Sequence, residues 1–385
     1  MPNTSDISAF LESRHDTLAR EVADLVRREV APLPVAHDDA AARAQARVLL
    51  EVIGRARLAA HAHPLDLRAC CLIREALAYE SPLADEVFAL QCLGSTPIAL
   101  AGSAALAASI VPKVVHGELM AAFAMTEPEA GSDVASLTTV ARRDGDDYVL
   151  EGKKTLISNA GIADFYTVFA KTDPAAGHRG ISCFVVDADT PGLSFDRALE
   201  LSAPHPLGDL SFDDCRVPAS RRLGAEGDGF RIGMSTLDSL RTTVAAAACG
   251  MAARALEEAL SHVESRRQFG APLSELALVQ HELAAMAMDL TASRLMVYRA
   301  AATKDAGAPR VSVESAMAKA FATEAAQRIV DSAVQLSGGR GVLKESNVDQ
   351  LYRAIRPLRI YEGTTDIQHV VIARAILKSR RQGLA

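Results

Sequence analysis

The chain has no basic block, no cysteine pair at CxxC spacing, no leader that turns from basic to apolar, and no Gly-x-Gly-x-x-Gly fingerprint. Each absence removes a class. With a formal charge of −7 and interspersed signs, nothing is arranged to neutralise phosphates, so no nucleic-acid partner is expected. Cys70, Cys71, Cys92, Cys183, Cys215 and Cys249 follow neither a disulfide framework nor a metal-ligand spacing and read as buried thiols in a reducing compartment. His61-Ala62-His63 reads as a loop pair rather than as ligands, and no metal is expected. The start carries Asp6, Glu12 and Asp16 where a secretory or transit peptide would be basic and then apolar, which makes the cytoplasm the expected location. Residues 87–112 carry no charge and exceed the roughly 20 residues a membrane span needs. Gly94, Pro97 and Gly102 interrupt them, so two short buried helices joined by a turn are expected, and no membrane partner.

What is present is a chain of 385 residues, 49% apolar, without repeats or a low-complexity linker, as expected of one folded unit. Leu18, Val22, Leu25 and Val26 recur at three-to-four spacing, and helical character persists to about residue 116. Between about 117 and 224 the period becomes two, in Tyr148-Val149-Leu150, Tyr166-Thr167-Val168-Phe169 and the run 181–186, with turns at Asp144-Gly145 and Asp189-Thr190-Pro191-Gly192. Helical periodicity returns over 230–267, 276–304, 313–337 and 366–381, long enough for a four-helix bundle. The expected fold class is α+β, with an N-terminal α-helical domain (1–117), a middle antiparallel β domain (118–225) and a C-terminal bundle (226–385).

Chemistry is most evident at Arg359-Ile360-Tyr361-Glu362-Gly363-Thr364-Thr365-Asp366-Ile367-Gln368. Apolar neighbours at Ile360 and Tyr361 would desolvate the Glu362 carboxylate and raise its pKa towards neutrality, as proton abstraction from carbon requires. Gly363 would let the backbone approach a ligand. The same Glu362 could equally be a charge beside a helix N-terminus with no reaction to perform.

This segment, with Val370-Val371-Ile372-Ala373-Arg374 after it, closely resembles the C-terminal signature of the acyl-CoA dehydrogenase family, flavoenzymes that desaturate acyl thioesters. Three further motifs resemble the family's in the same order: Thr126-Glu127-Pro128-Glu129-Ala130-Gly131-Ser132-Asp133, departing at Glu129; Arg266-Arg267-Gln268-Phe269-Gly270; and Gln335-Leu336-Ser337-Gly338-Gly339-Arg340-Gly341. The resemblance covers roughly residues 120–377 and implies the family's three-domain fold with a barrel-like middle domain. It also implies FAD as cofactor. Met125, Thr126, Gly131 and Ser132 would hold its isoalloxazine and pyrophosphate, with Ser158 on the next matching segment. Leu156 stands where an aromatic commonly covers one face of the ring. Arg266, Phe269, Gln335 and Gly339 match residues that reach a flavin held largely by a neighbouring subunit, implying a homodimer or homotetramer. Thr364 and Asp366 match nucleotide-contacting positions. Taken singly, the Ser/Thr-rich loops also read as turns satisfying their own backbone, and Arg266-Arg267 as a solvated helix end.

The implied reaction takes a proton from the carbon next to a thioester and delivers a hydride from the following carbon to the flavin. Glu362 would take the proton. Leu240 occupies the alternative position for the base and cannot accept one. Ser132, Arg241, Tyr361 and Gly363 would contact the acyl-CoA, and an electron-transfer flavoprotein would receive the electrons. Two alternatives stay open: a dehydrogenase or oxidase acting on a carrier-protein thioester, and a non-catalytic family member in a hetero-oligomer.

Overall fold

The computed structural model describes residues 3–382. In chain order it runs through α1 (Ser13–Leu25), α2 (Asp39–Arg55), α3 (Leu67–Glu80), α4 (Pro82–Ala101) and α5 (Ala104–Val115). The strands follow: β1 (Ala121–Ala124), β2 (Val140–Asp144), β3 (Asp147–Ser158), β4 (Phe165–Lys171), β5 (Ile181–Asp187), β6 (Leu193–Ala198), β7 (Leu207–Pro218) and β8 (Arg222–Leu223). After them come α6 (Gly229–Ser265), a short hairpin of β9 (Arg267–Gln268) and β10 (Ala271–Pro272), α7 (Ala277–Asp305), α8 (Ser312–Ser337), α9 (Asn347–Ile355) and α10 (Thr365–Arg381). No helix among the described residues is long and apolar enough to cross a membrane.

Contacts divide the chain into two compact units. One holds residues 34–65 and 86–237 and is built on an eight-stranded sheet of order β6-β7-β3-β2-β4-β5-β8, with β1 added beside β4. The pairing is antiparallel except that β1 and β2 each run parallel to β4. Strand β5 shows why the sheet has two apolar faces. Phe184 and Val186 join Tyr148, Leu150 and Phe212 in one core, while Ile181, Cys183 and Val185 join Phe165, Phe169, Ile110 and Ile232 in another. Each such side chain contributes about 1.5–3 kcal/mol by leaving water.

The uncharged run 87–112 folds as two helices joined by a turn, α4 and α5, as expected, and only the place of the break differs. Gly94 and Pro97 lie inside α4, and the chain breaks only at Gly102-Ser103, where Ser103 caps α5 by accepting from Leu106 N–H at 3.2 Å. Gly94 is a contact rather than a break, since a Cβ there would come within 2.8 Å of Ala121 Cβ and 3.0 Å of the Ala122 backbone.

The other unit comprises residues up to Leu33, Asp66–Asp85 and everything from Asp238 onward. Here α8 packs against α7, α9 and α10, and α3 against α1 and α7. Buried positions of α8 are mostly alanine, which brings its neighbours close. In α6, a Cβ on Gly250 would lie 2.2 Å from the Glu75 carbonyl of α3. The short α9 was not anticipated, although Val348, Leu351, Ala354 and Ile355 form its buried stripe. Arg353 pairs with Asp349 one turn earlier. All six cysteines are buried.

Candidate active site

Glu362 and Gly363 form the turn between the 3₁₀ segment Arg356–Arg359 and α10, with left-handed φ of 53° and 90°. For glutamate that conformation costs of order 1–3 kcal/mol and persists only where the surroundings enforce it. They do so through three successive carbonyls. Lys319 on α8 donates to Tyr361 O at 2.9 Å and to Gly363 O at 2.6 Å, and Arg241 on α6 donates to Glu362 O at 3.2 Å. Gln368, fully buried on α10, adds a bond to Gly363 O at 2.8 Å, and Thr364 caps the helix by accepting from Ile367 N–H at 3.3 Å. Hydrogen bonds to charged donors are worth about 1.5–3 kcal/mol each, enough to outweigh the strain.

The carboxyl itself is left free. Although the residue as a whole is partly exposed, Glu362 Oε2 is shut off from solvent and has no hydrogen-bond partner. Burial pushes its pKa above the ordinary value; Arg74, Lys319 and Arg241 oppose this, and Asp85 adds to it. Arg74 and Asp85 form a bidentate pair at 2.7 Å, almost wholly buried, with Thr243 accepting from the guanidinium at 3.0 Å. Burial, cations near but not bonded to the oxygens, and a fixed backbone leave a carboxylate whose proton affinity is raised. The alternative of a charge resting on the helix dipole has less support, because a solvated charge would not be desolvated in this way. Asp366, in the first turn of α10, is the exposed acid that does occupy that place.

In the β unit, the 125–133 loop hangs on Glu127. Its carboxyl accepts from Thr138 N–H and Oγ1–H, from Thr139 N–H at 3.0 Å and from buried Lys154 at 2.8 Å, and the 127–130 turn is closed by reciprocal backbone bonds. Burial alone would raise its pKa; Lys154 and the Thr138 and Thr139 donors hold it at about 2. So anchored, Met125 is buried, Thr126 half-buried, and Gly131, Ser132 and the divergent Glu129 exposed. Strand β3 bulges against β7 between Lys154 and Ile157, where Leu156 takes a left-handed φ of 56° and stands 55% exposed. A bulge re-aims a side chain, and here it presents an apolar face outward. Two residues on, Ser158 Oγ lies 2.7 Å from His205 Nε2, and Glu86 pairs with His205 Nδ1. Glu86, His205 and Ser158 thus form a chain of polar side chains that ends at the serine hydroxyl and fixes the imidazole between them.

The Arg266-Arg267-Gln268-Phe269-Gly270 motif forms the β9–β10 hairpin, its two-residue loop having both φ values positive, 52° at Phe269 and 84° at Gly270. Glycine suits such a turn and phenylalanine does not. Phe269 is nevertheless 92% exposed at its tip. Burial depresses the pKa of His262, and Arg340 and Arg266 depress it further, which places both arginines near the end of α6. The glycine-rich Gly338–Val342 turn directly follows α8, with Gln335 and Gly339 exposed.

Arg241, Tyr361 and Gly363 therefore gather around Glu362; Met125, Thr126, Gly131 and Ser132 sit on the anchored loop of the β unit and Leu156 and Ser158 on its strand β3; Arg266 and Phe269 are exposed at the β9–β10 hairpin, and Gln335 and Gly339 at the end of α8. Leu240 is buried and contributes no titratable group. Reading the sequence missed Lys319, Arg74, Asp85, Glu127, Lys154, Glu86 and His205. Lys319 had a signal, being a lone cation in the alanine run 316–326. Arg74 and Asp85 are joined across the break between α3 and α4, and Glu86 and His205 meet from 119 residues apart, 205 minus 86, so neither pair had one.

Two family models match the chain: "Acyl-CoA dehydrogenase, middle domain" over residues 122–215 and "Acyl-CoA dehydrogenase, C-terminal domain" over 227–377. The chain is 37% identical over 377 residues to the probable acyl-CoA dehydrogenase FadE25 of Mycobacterium tuberculosis, covering 96% of each. It resembles the structure of butyryl-CoA dehydrogenase from Megasphaera elsdenii with a TM-score of 0.87 at 32% identity, over 95% of this chain and 99% of that one. It is also similar to glutaryl-CoA dehydrogenase from Mycobacterium smegmatis in complex with FADH2, with a TM-score of 0.87 at 27% identity over 96% of each.

Proposed function

Since the chain belongs to the acyl-CoA dehydrogenase family of flavin-dependent oxidoreductases, we propose that it carries out α,β-dehydrogenation of an acyl-CoA thioester with FAD as cofactor and Glu362 as the base. The observation that carries the assignment is the Glu362 carboxyl: Oε2 buried and unpartnered, on a strained backbone held by Lys319 and Arg241. Burial raises its proton affinity towards what a weak carbon acid needs. Its own backbone N–H is proposed to steady the developing negative charge on the thioester oxygen. Arg241, Tyr361, Gly363 and Ser132 are assigned to the thioester.

FAD, when bound, supplies the acceptor for the β-hydride. The residues suit such a group: Leu156 offers an apolar surface, Ser158 offers a hydroxyl held in place by His205, and Met125, Thr126, Gly131 and Ser132 sit on an anchored loop. Arg266, Phe269, Gln335 and Gly339 are assigned to the adenosine and pyrophosphate of a flavin in a neighbouring subunit, and Thr364 and Asp366 to further nucleotide contacts. An exposed arginine-rich hairpin tipped with an aromatic suits that role. This assignment requires a homodimer or homotetramer. An electron-transfer flavoprotein is proposed as the acceptor from the reduced enzyme.

The test is anaerobic absorption titration of the flavin-loaded protein with short, medium, branched and aromatic acyl-CoA esters. Bleaching by one of them supports the reaction and defines the acyl group; retained colour with every CoA ester points to a carrier-protein thioester. Glu362→Gln should keep its flavin and lose roughly 10²–10⁴-fold in turnover. Full activity in that variant overturns the assignment.

A further inference from the structure

Lys319 is fully buried on α8, among Ala316, Ala318, Ala320, Ala322 and Thr323. Its ammonium is bonded to two backbone oxygens, Tyr361 O at 2.9 Å and Gly363 O at 2.6 Å, and to no carboxylate. A buried cation bonded only to carbonyls is an expensive way to gain stability, since an apolar side chain of that length would fill the space without desolvating a charge. Two features of this geometry would be lost in the exchange. The bonded carbonyls belong to the residues on either side of Glu362, whose φ of 53° a glutamate does not adopt unaided. The ammonium is also a charge neighbour of the Glu362 carboxyl without being bonded to it.

We propose that Lys319 is a positioning residue for the base: by clamping the carbonyls that flank Glu362 it holds the left-handed turn that aims the carboxyl, and it sets its own charge beside that carboxyl. The proposal rests on Glu362 being the base. Three cations face Glu362 and favour its ionised form, Arg74 from α3, Lys319 from α8 and Arg241 from α6, while Asp85 and burial oppose it. Lys319 itself is drawn down to about 8, by burial first; Glu362 and Glu324 pull it upward and Arg241 downward, so it stays charged at neutral pH. Removing that charge leaves two cations facing Glu362, raises its pKa and moves the acid limb of turnover to higher pH.

The experiment compares Lys319→Met, Lys319→Gln and Lys319→Arg with wild type and Glu362→Gln, all as full-length flavin-loaded protein. Folding is checked by circular dichroism, kcat and KM are followed against pH, and the Glu362 carboxyl is titrated by infrared difference spectroscopy as the C=O band absent from Glu362→Gln. In Lys319→Met, kcat should fall roughly 100-fold with KM within a few-fold, as for a misaimed catalytic group. The infrared midpoint and the acid limb should both rise by roughly one pH unit or more. Lys319→Arg should restore both. Lys319→Gln keeps a donor without the charge, so its midpoint should rise like that of the methionine variant with a smaller loss in kcat, and it decides the matter if Lys319→Met does not fold. A folded neutral variant with wild-type kcat and an unmoved midpoint overturns the proposal, as does an arginine variant no better than methionine. Wild-type turnover in Glu362→Gln would bring down the base assignment instead, and the infrared midpoint would still report whether Lys319 governs that carboxyl.

Discussion

Glu127 anchors the 125–133 loop through its carboxyl, and its titration should be visible in the stability of the whole chain. Its folded pKa of about 2 lies below the ordinary 4.5, so its contribution is fully present above pH 4.5 and is lost as pH falls through 2. Over that window urea denaturation should register a loss of about 3 kcal/mol from this group. Glu127→Gln should flatten the dependence there and, by leaving Lys154 buried without its partner, cost about 3–5 kcal/mol at neutral pH. At this scale the sequence was only half legible. Glu362 could be singled out because Ile360, Tyr361 and Gly363 are its chain neighbours, and Ser158 because its motif is contiguous. Lys154, 27 residues from Glu127, meets it only where the loop after β1 docks on β3, and His205, 47 residues from Ser158, meets that serine only when β7 pairs with β3; nothing in their local spacing announces either.

At the scale of elements, periodicity predicted the long helices closely, 230–267 against Gly229–Ser265 and 313–337 against Ser312–Ser337, because an amphipathic or alanine-rich run carries its own period. Glycine was less reliable as punctuation. Gly102 ends α4 and Gly145 turns the β2–β3 hairpin, yet Gly94 sits mid-helix where α4 meets the backbone of β1. A lone glycine announces a break and a close approach in the same way. Gly94→Ala should therefore destabilise by about 1–3 kcal/mol through overpacking, despite the better helix propensity of alanine. Thermal unfolding checks this: a raised midpoint would mean that α4 can move off β1 at no cost.

At the scale of the molecule, the exposed hairpin tip is what a folded single chain does not explain. A phenylalanine 92% exposed on a left-handed turn contributes nothing to its own fold. Phe269→Ala should leave urea stability within about 0.5 kcal/mol of wild type, as a surface change does. If it serves a neighbouring subunit's flavin, the same variant should lose FAD on gel filtration. Unchanged FAD content and unchanged oligomeric mass would remove Phe269 from the cofactor site.

The sequence by itself determined the family, the order of helices and strands and the identity of the candidate base, because each is written in contiguous motifs or in a period of two or 3.6 residues. Tertiary structure decided the state of that base. Whether Glu362 is a dipole-paired surface charge or a desolvated carboxyl depends on Lys319, Arg241, Arg74 and Asp85, brought to it from α8, α6, α3 and the start of α4. Proton affinity is set by distance through space and by exclusion of water, and neither has a fixed spacing along a chain.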